Sequence, residues 1–134
     1  MQNQAHFIFY VSDQQRSRDF YVATLAQQPR LDVCGMTEFT LATGVVLGLM
    51  PQTGIAELLG DALPQLRQPL TEPRAELYLT VADPQSHIDR AIAAGGRLLS
   101  PLLPRDWGDK AGYLLDPDQH VLAFATSLNE DTPS

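Results

Sequence analysis

Cysteine is nearly absent from this chain. Cys34 stands alone, which excludes an intrachain disulfide framework and a cysteine-based metal cluster. Basic residues are also few: nine Lys and Arg stand against sixteen Asp and Glu, for a net charge of −7. Binding nucleic acid requires a basic face, so this balance argues against such a partner. No apolar run approaches the about 20 residues of a membrane-spanning helix, and the first residues lack the basic-then-apolar order of a secretory leader. A membrane partner is therefore not expected, and the expected location is the cytoplasm. A phosphate-binding glycine loop, a Ser-His-Asp order and a His-Glu-x-x-His pair are missing too. The single tryptophan makes the placing of Trp107 informative.

The 134 residues, 44% hydrophobic and 19% charged, suffice for one domain with its own core. Ala5 to Val11 is β-rich and apolar on both faces, which predicts an interior strand. Ser12 or Asp13 can cap a helix over Gln14 to Leu25, with Pro29 ending that segment. Strands are expected over Arg30–Val33, Thr37–Leu41 and Val45–Met50, with turns at Cys34-Gly35 and Thr43-Gly44. Residues 51–73 hold four prolines and the apolar burst Ile55-Ala-Glu-Leu-Leu59. A short helix and an irregular linker are expected there, covering either the chain's own core, a ligand groove or a dimer contact.

The second half repeats the first. Ala75 to Val81 matches Ala5 to Val11 at an offset of 70, and Val81-Ala-Asp83 matches Val11-Ser-Asp13 at the same offset. Asp83 is set to cap a helix over Pro84–Ala94, with Pro84 in its first turn and Gly95-Gly96 as its stop. Strands are expected over Arg97–Ser100, Tyr113–Leu115 and Val121–Ala125, and a frayed tail from Ser127. Asp116-Pro-Asp-Gln119 reads as a tight turn between the last two strands, with His120 opening the second of them.

Val11-Ser-Asp13 with Asp19-Phe-Tyr21, then Ala93-Ala-Gly-Gly96, then Asp116-Pro-Asp118 ahead of an apolar strand resemble the vicinal oxygen chelate superfamily: glyoxalases, bleomycin-resistance proteins and extradiol dioxygenases. Gln119 stands where that pattern usually has Gly, a position suited to positive φ. The resemblance covers nearly the whole chain. It implies an α+β fold of two tandem βαβββ modules, about 5–50 and 74–126, joined by the linker 51–73 in a single domain. Their curved mixed sheets would form a cup, and many such proteins are homodimers in which a partner chain helps complete it.

Period-two alternation divides the first strand of each module. Phe7, Phe9 and Val11, like Leu77, Leu79 and Val81, form uniformly apolar sets suited to packing under helices. His6, Ile8 and Tyr10, like Glu76, Tyr78 and Thr80, form mixed sets suited to lining a cup. By the resemblance, metal-dependent members place His or Glu at two positions per module. Here those positions hold His6, Gly48, Glu76 and Ala123. Two donors fall short of the three that a catalytic site normally needs, so no metal and no cofactor are expected. His87 reads as a solvated surface histidine, His120 as part of the turn, and Cys34 as an inert thiol.

Trp107 lies in Pro104-Arg-Asp-Trp-Gly108, which resembles a loop of metal-free bleomycin-resistance-type members. It either packs on its own module's edge or stacks on a ligand. The expected function is a metal-free protein binding an apolar or aromatic small molecule, with or without a cationic group, at His6, Tyr10, Met50, Glu76, Tyr78 and Trp107. Glu76, flanked by apolar neighbours, would then meet a proton, His6 or a cationic ligand group. The alternative is an enzyme: a metal-dependent lyase, isomerase or dioxygenase of lactoylglutathione-lyase type, or a metal-free one with His6 and Glu76 as base and acid.

Overall fold

The structure is a computed structural model that describes residues 3–69 and 72–131. The chain divides into two compact units, one holding the first module with its following segment and the other the second module, with Ala23–Leu25 grouped with the second. In the first, β1 (Ala5–Val11), α1 (Gln14–Leu25), β2 (Leu31–Val33), β3 (Met36–Ala42) and β4 (Val45–Pro51) precede α2 (Gln52–Leu59) and a 3₁₀ turn at Pro64–Arg67. In the second, β5 (Glu76–Thr80), α3 (Pro84–Ala93), β6 (Arg97–Pro104), β7 (Asp109–Leu115) and β8 (Val121–Ser127) run to a 3₁₀ turn at Leu128–Asp131. Each unit carries one four-stranded mixed sheet, ordered β1-β4-β3-β2 and β5-β8-β7-β6, with the first and last strands of the module parallel and adjacent. The fold is α+β, and neither sheet closes into a barrel.

The alternation of β1 sorts its side chains. Tyr21 of α1 is fully buried, its ring 6.5 Å from Phe9 and 6.3 Å from Phe39, so the Phe9 face of the sheet lies under the helix. Phe7, of the same apolar set, departs from this pattern: it stands 55% exposed near the open end of the strand. In the second unit, Leu77, Leu122 and Phe124 share the helix-covered face, with Ile88 and Ala91 of α3 buried. The approach there is close. A Cβ on Gly112 would lie 2.5 Å from Ile88 Cδ1 and 3.2 Å from Leu102 N, so a side chain there would force its neighbours to shift.

Both helices start where the repeat predicts. The Asp13 side chain accepts from Arg16 N–H, and Asp83 accepts from Ser86 N–H and Ser86 Oγ–H, which holds the Asp83 carboxyl below its ordinary range. α1 spans Gln14–Leu25 as expected, and Ala26, left-handed at φ 54°, stops it four residues before Pro29. Other boundaries differ from expectation. β6 continues past Ser100 through Pro101 to Pro104, with breaks in register that accommodate its prolines. β7 begins at Asp109, so the predicted Trp107 loop is only the turn of the β6–β7 hairpin. The C-terminal segment is ordered further than expected, with Ser127 in β8 and Leu128 N–H bonded to Gly108 O; residues 132–134 lie outside the described residues. Gln119 takes the positive φ, 72°, anticipated at its turn position. None of the helices is long and apolar enough to cross a membrane, among the described residues.

Candidate functional site

The face of the first sheet opposite α1 carries His6, Ile8 and Tyr10, whose cross-strand partners are Val46, Gly48 and Met50. Tyr10 and Met50 are thus direct neighbours, whereas His6 sits four residues away, roughly 13 Å along the strand. Val46 is closed off at 1% exposed. Gly48 lies between Ile8 and Met36, whose side chains would stand 3.2 Å from an added Cβ. Across β3 its partner is Glu38, a charged residue on the pattern's mixed face that is only 9% exposed. Glu38 accepts from Arg30 Nε–H at 2.9 Å and lies 3.6 Å from His6 Nδ1, while His6 Nε2 is 3.4 Å from Gln4 Oε1.

This cluster bears on whether the first module's donors fit a metal. Glu38 could stand in for the donor that Gly48 lacks. Its carboxylate, however, is held by a guanidinium that keeps its charge at any physiological pH, so a divalent ion beside His6 would meet a fixed positive charge. Ala123, at the matching place in the second module, sits opposite Tyr78 and Tyr113 and offers no donor either. No three His, Cys, Asp or Glu side chains are gathered as a metal site among the described residues. The donor set does not fit the metal of the superfamily's enzymes.

The open face of the second sheet holds a different arrangement. Trp107 Nε1–H donates to the Tyr78 hydroxyl at 2.9 Å, and that hydroxyl donates to Asp109 Oδ2 at 2.6 Å. Tyr78 stands on β5, Asp109 opens β7 and Trp107 is in the turn just before it, so the β6–β7 hairpin delivers two members to the third. Burial raises the Tyr78 phenol above its ordinary value, and the bond to Asp109 raises it further, against an opposing effect from the Trp107 donor. The phenol thus remains a neutral donor. Trp107 is 59% exposed although its N–H is satisfied. Beside it, Arg105 is folded into its own hairpin, bonding Ala111 O, Pro101 O and Ser100 Oγ, with its guanidinium 5.2 Å from the centroid of the Tyr113 ring.

Glu76 corrects an expectation. It is exposed on the edge strand β5, so water solvates its carboxylate and it has no need of a cationic partner. His87 is half-buried rather than solvated, its ring 5.1 Å from that of Phe124 and Nδ1 3.0 Å from Asp83 O. His120 belongs to the turn: buried Asp116 accepts from Asp118 N–H and His120 N–H and lies 2.8 Å from His120 Nδ1. Cys34 is exposed.

The segment after β4 builds a pocket of about 560 Å³ within the first unit, lined by Ser12 at the end of β1, by α2 residues from Gln52 to Glu57 and by residues 66–69. Ile55 and Leu66 are buried beneath it, so part of the segment covers the chain's own core.

Period-two reasoning on β1 and β5 alone missed Glu38, Arg30 and Asp109. One signal was present for Glu38: a lone acidic residue within Met36–Ala42. Asp109 carried none, because its role depends on how tightly the Trp107 turn closes.

A family model described as glyoxalase-like domain matches residues 5–129. No curated protein matches the sequence. Among solved structures, one described as a glyoxalase-related enzyme from Fulvimarina pelagi superimposes with a TM-score of 0.76 at 24% identity, over 95% of this chain and 89% of that one. A glyoxalase/bleomycin resistance protein/dioxygenase family enzyme from Burkholderia phytofirmans gives 0.79 at 17% identity, over 95% and 100%. A protein of unknown function from Agrobacterium tumefaciens gives 0.72 at 24%, over 96% and 98%. At these identities the likeness to solved structures is one of fold.

Proposed function

The chain belongs to the glyoxalase-like domain family of the vicinal oxygen chelate superfamily, and from that premise we propose that it is a metal-free small-molecule-binding protein that stacks an aromatic ligand on Trp107. The observation that carries this reading is the Trp107–Tyr78–Asp109 hydrogen-bond chain. An indole usually presents an apolar face and a polar N–H. Here the N–H is already committed to Tyr78, so the exposed remainder offers a ligand only its π surface. The bond also fixes the ring before any ligand arrives, which lowers the entropy lost on stacking. Asp109 adds a carboxylate at the edge of the platform, which favours a ligand bearing a cation or a hydrogen-bond donor.

Trp107 is the only tryptophan, so its emission reports the site directly. The test is a titration with a matched set of bicyclic aromatics that are cationic, neutral and anionic, followed by tryptophan emission and thermal shift. Cationic and neutral compounds are expected to bind. Both should weaken by about tenfold in Trp107→Ala and much less in Trp107→Phe, which keeps a ring. Asp109→Asn should weaken the cation alone. Binding that ignores the loss of Trp107, or a preference for the anion, would make the chain a structural brace for the hairpin and sink the reading.

A further inference from the structure

We propose that the pocket beside α2 is a second binding site, separate from the Trp107 platform, and that it takes an aliphatic ammonium compound. Its volume, about 560 Å³, suits a small organic ligand. Its apolar wall comes from Ala56, Leu66 and Pro69, with no aromatic side chain, which fits an alkyl body rather than a stacked ring.

The polar groups around the pocket divide by whether they are already occupied. The Gln52 amide donates to Leu66 O at 2.9 Å and to Gln68 O, clamping the 3₁₀ turn against α2 and setting the width of the pocket. Arg67 donates to Gly60 O at 2.5 Å and Asp61 Oδ1 at 2.8 Å, so its charge is matched by Asp61 just after α2. Ser12 Oγ accepts from Arg16. That leaves Thr53, Glu57 and the Gln68 side-chain amide, which line the pocket and enter no side-chain hydrogen bond or ion pair among the described residues; of these only Glu57 carries a charge. Four apart on α2, Thr53 and Glu57 stand on one face of the helix, one turn from each other. A hydroxyl and a carboxylate in that relation can both accept from an ammonium group, while the alkyl chain lies along Ala56 and Leu66. The start of α2 carries about half a positive charge, but Glu57 lies more than one turn further on and brings a full negative one. The balance therefore favours a cation.

The decisive experiment follows backbone amide NMR of the full chain during titration with n-hexylammonium, hexan-1-ol and hexanoate. Hexylammonium should give saturable shifts over residues 52–57 and 66–68. Glu57→Gln, an isosteric change at an exposed position, should weaken it by about tenfold with the spectrum otherwise unchanged. Ala56→Leu should block it by filling the apolar wall, and Trp107→Ala should leave it intact. That last variant separates this site from the aromatic platform: loss of one leaves the other standing. Hexanol binding as tightly as hexylammonium would overturn the proposal, as would tighter hexanoate binding. So would an inert Glu57→Gln change, or non-saturating shifts scattered over acidic residues.

Discussion

Arg30 Nε donates to the Glu38 carboxylate at 2.9 Å, and the same carboxylate lies 3.6 Å from His6 Nδ1, so His6 faces an ion pair rather than a second free donor. A divalent ion there would have to displace Arg30 and would find no donor at Gly48. Protein purified without chelator is accordingly expected to carry no stoichiometric transition metal by elemental analysis. One tightly held metal per chain, lost in His6→Ala, would overturn this and favour the enzyme alternative. His6, Gly48 and Ala123 were singled out by the resemblance to the superfamily, which implies a donor in the first and last strand of each module. Glu38 was not, since pairing β3 against β4 sets it opposite Gly48, and no local pattern states that register. Glu76 has apolar neighbours in sequence, yet at the first position of β5 its side chain is exposed, while Leu77 beside it is buried.

At the scale of elements, local chemistry and structure agree wherever the signal is a short-range bond. Asp13 and Asp83 cap their helices because a side-chain oxygen three residues before an orphan N–H needs nothing else. The misjudged boundaries arise where longer-range pairing overrides composition, as in β6, which keeps pairing with β7 despite Pro101 and Pro104. Gly112 shows the same dependence on packing. The sequence offers no reason for glycine in mid-strand, yet Ile88 Cδ1 and Leu102 N would lie 2.5 and 3.2 Å from a Cβ. Gly112→Ala should therefore push α3 off its sheet and cost about 1–3 kcal/mol of stability, measured by denaturant unfolding. Gly48→Ala meets side-chain atoms alone, Ile8 Cγ1 and Met36 Sδ at 3.2 Å, with neither as close as Ile88 Cδ1 is at Gly112 and no backbone atom in the way, and should cost less. Equal losses for the two would show that helix packing does not set the requirement at Gly112.

For the molecule as a whole, the open question is which sheet edge another chain can use. Each sheet ends in two edge strands, and three of the four are blunted. β2 is three residues long, β5 opens on exposed Glu76, and β6 carries two prolines and breaks in register. β1 is different: it runs seven residues, ends only at Val11, and exposes Phe7 and Ile8, 55% and 41%, on its two opposite faces. Such an edge pairs readily, and a net charge of −7 does not protect it because β1 itself carries no acidic residue. We therefore expect a homodimer formed through β1. Light scattering over a dilution series should give twice the chain mass at micromolar concentration. Phe7→Glu should bring it to one chain with an unchanged circular dichroism spectrum, while Leu99→Glu on β6 should leave the dimer intact. A monomer at every concentration would refute the expectation, and a dimer that survives Phe7→Glu but not Leu99→Glu would move the interface to β6.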